Sequence, residues 1–130
     1  MRRYAEAEQM FRRMVFNVLA TNCDDHTKNF SFLLKQGGKW ELAPAYDMCF
    51  AYDNQNIWVN QQTLSINGKH ASIRKADLMS IAKANNLKRG ETIIDQINNV
   101  VKNWTDFASQ AKVNSHLSQN ITANLHVINA

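Results

Sequence analysis

The run Asp24-Asp25-His26-Thr27-Lys28-Asn29, with Asp47 eighteen residues beyond Asn29, holds the side chains best suited to chemistry. A carboxylate, an amide five positions later and a second carboxylate downstream are, in that order, the groups used by a phosphoryl-transfer site. Asp24 would take or orient the proton of an attacking hydroxyl. The side-chain oxygens of Asn29 and Asp47 are hard donors, suited to magnesium ions that bridge nucleotide phosphates. The spacing D-x-x-x-x-N has a mechanical reason, since one tight loop must aim a carboxylate at the nucleophile and an amide at the neighbouring metal. The pattern is short enough to arise by chance, so its setting decides its meaning.

That setting supplies the elements needed to hold such a loop. Phe11, Met14, Val15, Val18 and Leu19 fall on one stripe and predict a helix from about Arg3 to Ala20 that runs straight into the loop. Beyond it, Phe30, Phe32 and Leu34 alternate with polar neighbours, Gln36-Gly37-Gly38-Lys39 turns, and Trp40 and Leu42 alternate again, which predicts a hairpin. Pro44 then favours an extended entry into Ala45-Tyr46-Asp47. Helix, loop, hairpin and second Asp follow in the order of a kinase large lobe.

From Phe11 to Asp47 the chain closely resembles the HipA-type serine/threonine kinases, the toxin components of bacterial toxin–antitoxin modules. The resemblance rests on Asn22, Asp24, His26, Lys28, Asn29 and Ser31, then Pro44, Tyr46 and Asp47. It is dense over about the first fifty residues and looser through the helical remainder. It implies a protein-kinase-like C-terminal (large) lobe that is mainly α with a small β-hairpin. It also implies ATP as phosphate donor, magnesium as cofactor, Asp24 as catalytic base, and Asn29 and Asp47 as metal ligands. His26 would then shape the loop, and Lys28 would either face a phosphate or stand in solvent. By the same resemblance the partners are a helix-turn-helix antitoxin and a protein substrate from the translation machinery, such as an aminoacyl-tRNA synthetase.

The twenty-three residues before Asp24 read as one helix, and the four glycines form neither G-x-G-x-x-G nor G-x-x-x-x-G-K-[ST]. The sheet, phosphate loop and strand lysine of a small lobe are therefore not expected within this sequence, and the chain alone is expected to be inactive. A separate small-lobe polypeptide is one way to complete it. The alternative is a non-catalytic remnant that binds the antitoxin or that small-lobe chain.

Within the loop, Asp25 is expected to point away from the cleft, because two adjacent carboxylates facing one cleft would repel. Asn17 and Asn22 read as helix-surface or capping residues, and Tyr46 as an aromatic packed beneath the loop. Cys23 and Cys49 lack paired zinc-site spacing and read as free thiols, which suits a cytoplasmic protein without a signal peptide.

A chain of 130 residues with 45% apolar types suits one domain over residues 1–130. A net charge of +4, with its basic residues dispersed and no reading motif, gives no basis for specific nucleic-acid binding. No apolar run approaches the roughly 18–20 residues of a membrane span. Residues 50–69 read as a long loop with a short strand at Thr63–Ile66. Three helices are expected after it: Ile73–Asn85 capped by Ser72, one through Ile93–Ala111, and Val113–Val127.

Overall fold

The computed structural model describes residues 4–129. It is mainly helical with one two-stranded antiparallel hairpin. Helix α1 (Tyr4–Leu19) precedes a single 3-10 turn (Thr27–Asn29) and the hairpin strands β1 (Phe32–Lys35) and β2 (Lys39–Leu42). Helices α2 (Lys75–Ala84), α3 (Gly90–Lys102), α4 (Trp104–Gln110) and α5 (Ser115–Asn124) follow. Among the described residues, no helix is long and apolar enough to cross a membrane.

The stripe read from α1 is the centre of the core. Phe11, Val15, Val18 and Leu19 are buried and meet Leu78 and Ala82 of α2 and Ile93, Ile94 and Val101 of α3. Helix α3 packs on both α1 and α2. Helices α2 and α3 pack tightly at Gly90, where a Cβ would stand 2.5 Å from the Cβ of Ala82. Three helices end alike, on a residue in the left-handed region followed by a 6→1 bond. These are Thr21 after α1, Asn86 after α2 and Lys112 after α4. The closing bonds are Asn22 N–H to Asn17 O (2.8 Å), Leu87 N–H to Ala82 O (2.9 Å) and Val113 N–H to Ala108 O (2.9 Å).

Several boundaries differ from the sequence reading. The periodic stretch Ile93–Ala111 is two helices, broken at Asn103, so Val100 and Phe107 turn half out to solvent. The last helix stops at Asn124, and the tail continues extended. Its His126 N–H bonds Leu19 O (2.9 Å), and Ile128 pairs both ways with the side-chain amide of Asn98 (2.8 and 2.9 Å). Thr63–Ile66 is no strand, since only an isolated bridge, Ile66 to Lys69, closes around Asn67-Gly68. Helix α2 starts after Arg74 rather than at Ile73 under a Ser72 cap, because Asp77 reaches back to the Arg74 N–H (2.8 Å).

Asp77 also accepts from Lys69 Nζ (2.9 Å) and from Asn67 Nδ2 (2.9 Å), fastening the 67–69 turn to α2. The Lys69 ammonium, then the Arg74 amide and Asn67, hold its carboxyl far below the usual carboxylate range. A carboxyl lowered by folding stabilises the protein above its unfolded value and loses that effect as pH falls. The melting temperature of the native chain is therefore expected to exceed that of Asp77→Asn at pH 7. The gap should close as pH drops below the ordinary value of 3.8. Gly90→Ala should be destabilising by about 1–3 kcal/mol from overpacking against Ala82. That outweighs a helix-propensity gain of at most about 1 kcal/mol, and thermal melting measures the difference.

Candidate functional site

Helix α1 delivers the loop through its C-terminal turn. Thr21, a β-branched residue held at φ 54°, reverses the chain, and its hydroxyl bonds Asn124 O (2.7 Å). The next residue, Asn22, is 2% exposed. Its Nδ2 donates to Asn17 Oδ1 (2.9 Å) and to the backbone carbonyl of Asp47 (2.8 Å). Beside it, Cys23 N–H bonds Ala51 O (2.9 Å) and Ala51 N–H bonds Thr21 O (3.2 Å), a one-residue parallel bridge. These contacts lay the segment after the hairpin against the loop.

Asp24 follows, solvent-exposed, and Asn29 Nδ2 donates to its backbone carbonyl (2.9 Å). With its amide nitrogen so engaged, Asn29 keeps its side-chain oxygen for another partner. Asp47 is also exposed and has φ 51°, a left-handed conformation that a non-glycine residue adopts at some energetic cost. The exposed Cys49 thiol is raised by partial burial first, then by the Asp47 and Asp24 carboxylates. Among the described residues no group of three His, Cys, Asp or Glu side chains is placed to hold a metal ion. The Asp47 carboxylate and the Asn29 amide oxygen are the hard oxygen donors that could hold magnesium, an ion that takes much of its shell from water and substrate phosphates.

The other loop residues take varied places. His26 Nε2 stands 3.7 Å from Asp24 Oδ1, too far for a hydrogen bond, and its Nδ1 is buried without a partner. Lys28 points its side chain into solvent, while its carbonyl accepts the Tyr46 hydroxyl (2.8 Å). Tyr46 is therefore not a core aromatic. At 40% exposed, it is a strap from the hairpin exit to the loop. Asp25 does turn away, and it is buried. Its Oδ1 accepts the backbone N–H groups of Thr63 (2.7 Å) and Leu64 (3.2 Å), while Thr63 Oγ1 donates to Cys23 O (2.9 Å). Burial raises the Asp25 carboxyl and the amide bonds partly offset the rise. Burial, and secondarily Asp25, push the Cys23 thiol up to about 11.

The sequence reading missed the buried amide group beneath the loop. Asn17 and Asn22 are not surface residues, and Gln62 joins them, its Nε2 donating to Asn17 O (3.2 Å). Their five-residue spacing across the helix end was the available clue, since it allows a side-chain bond only if the helix stops between them.

A family model described as the HipA-like C-terminal domain matches residues 1–104. The chain belongs to that family. Neither the curated proteins nor the solved structures compared with the chain contain a match.

Asn22→Ala removes the donor that both Asn17 Oδ1 and Asp47 O use, at a cost of about 1–3 kcal/mol for buried polar groups left unpaired. The expected result is a lower melting temperature together with faster hydrogen exchange at the Cys23 and Ala51 amides. Unchanged exchange at those two amides would show that Asn22 does not hold the segment.

Proposed function

Given that family, we propose that the chain is the catalytic lobe of an ATP-dependent protein serine/threonine kinase, the toxin of a toxin–antitoxin pair. The observation that carries this reading is the exposure of Asp24 and Asp47, with Asn29 half-buried, on a loop and a segment held together by the Asn22 amide. Asp24 takes or orients the proton of the substrate hydroxyl, and the Asn29-to-backbone bond fixes the loop that presents it. Asn29 and Asp47 would hold magnesium, which when bound neutralises charge on the nucleotide phosphates. Lys28, already in solvent, is free to approach a phosphate oxygen as a point charge.

The hairpin supports a further part of this reading. Phe32 (56%), Leu34 (58%) and Trp40 (60%) are exposed, and Phe32, Leu34, Trp40 and Leu42 share one face in the register Phe32–Leu42, Leu34–Trp40. An isolated two-stranded hairpin is marginal in water, and an apolar row beside a site suits a covering partner. In this account a nucleotide-clamping small lobe covers it, from the same protein or a separate chain. The same exposed row also favours a second reading, in which the chain only binds that lobe or a helix-turn-helix antitoxin. Reconstitution separates the two.

With a small lobe supplied, incorporation of labelled γ-phosphate into Ser or Thr is expected, in trans or by autophosphorylation. Asp24→Asn and Asp47→Asn should each reduce it by at least about a thousandfold, with melting temperatures nearly unchanged because both side chains are exposed. Asp25→Asn should reduce it far less. Activity that survives Asp24→Asn would remove Asp24 from the proton-transfer role. Binding of the small lobe without phosphate transfer would favour the second reading.

A further inference from the structure

On the far side of the catalytic loop, a cavity of about 270 Å³ lies between α1, the 64–66 segment and the end of α2. Its walls are mainly apolar, formed chiefly by Met10, Phe11, Met14, Phe30 and Ile81, with Asn17, Ser65 and Asn85 as neutral polar members and Asp25 as the one acidic lining residue. Asp25 is 3% exposed and has no ion-pair partner among the described residues. Both hydrogen bonds that other residues donate to its carboxylate fall on Oδ1. A carboxylate offers about four acceptor positions over its two oxygens, so Oδ2 keeps capacity that the protein does not use.

We propose that this cavity binds a small organic ammonium ion, a primary amine on an apolar body, with the ammonium on Asp25 and the body against the methionines and phenylalanines. Charge complementarity within a largely apolar cavity favours such a ligand. A buried carboxylate without a counter-ion is costly, and a cation that enters with its own apolar surface relieves that cost while filling the walls. Thioether sulfurs and aromatic edges such as Met10, Met14, Phe11 and Phe30 are favourable neighbours for an aromatic or aliphatic body. An uncharged ligand of the same shape gains the wall contacts alone. A polycation gains the carboxylate but must desolvate further charges against apolar walls. The site rests on the cavity and on Asp25, and it does not depend on phosphoryl transfer.

The test compares two near-isosteric probes, 2-phenylethylamine and 2-phenylethanol, titrated at pH 7 into the full ¹⁵N-labelled chain. The amine should give saturable shifts at the Met10, Phe11, Met14 and Leu64 amides with a Kd at least about tenfold lower than that of the alcohol. Asp25→Asn, which keeps volume and removes charge, should bring the amine to the affinity of the alcohol. Equal affinity of the two probes for the native chain would overturn the proposal. So would saturable shifts confined to residues outside the cavity, or no saturable shift with either probe. Because the probe comparison uses the unaltered chain, it decides the matter even if Asp25→Asn fails to fold.

Discussion

One buried amide governs how this domain presents its polar groups. Asn22 sits where α1 has just reversed direction, and its Nδ2 bonds both the helix, at Asn17 Oδ1, and the segment after the hairpin, at Asp47 O. Away from water such bonds are electrostatically stronger, and losing either partner leaves a costly orphan. The position of Asp47 relative to Asp24 therefore follows from the end of a helix. That end is set in turn by Thr21 in a conformation it would not otherwise choose.

A second clamp works from below. Asp25 turns into the protein as Asp24 turns out, and its carboxylate receives the amides of Thr63 and Leu64. The segment it grips is fastened at its other end by Lys69 and Asn67 to Asp77 on α2. Adjacent carboxylates in a D-D pair thus divide the work, one facing solvent and one organising the loop beneath. The apolar core of α1, α2 and α3 supplies the stiffness against which both clamps act.

Legibility in the sequence followed the strength of the local signal. The stripe on α1 and the two-residue alternation about Gly37-Gly38 carried their elements to within a few residues, because burial on one face or a required turn leaves a periodic mark. The polar order Asp24, Asn29, Asp47 was visible as a spacing across the loop and the segment after the hairpin, and its role belongs to the proposal. Other features were set by tertiary contacts that leave no such mark. Asn103 breaks the Ile93–Ala111 stretch although the apolar period runs on through it. Asn17, Asn22 and Gln62 look like surface amides until the fold buries them together. The hairpin itself was legible, but the exposure of Phe32, Leu34 and Trp40 on its apolar face was not.

The central claim is that Asp24, Asn29 and Asp47 act together on a metal–nucleotide complex. Paramagnetic broadening by Mn²⁺ with ATP, read on the ¹⁵N-labelled chain, tests it most directly, since it reports proximity to the metal even when binding is weak. The account predicts broadening concentrated at residues 24–29 and 46–49 that depends on ATP and is lost in Asp47→Asn. Broadening centred on other exposed acids, such as Glu91 and Asp95 on α3, or broadening at residues 24–29 that persists unchanged in Asp47→Asn, would contradict it.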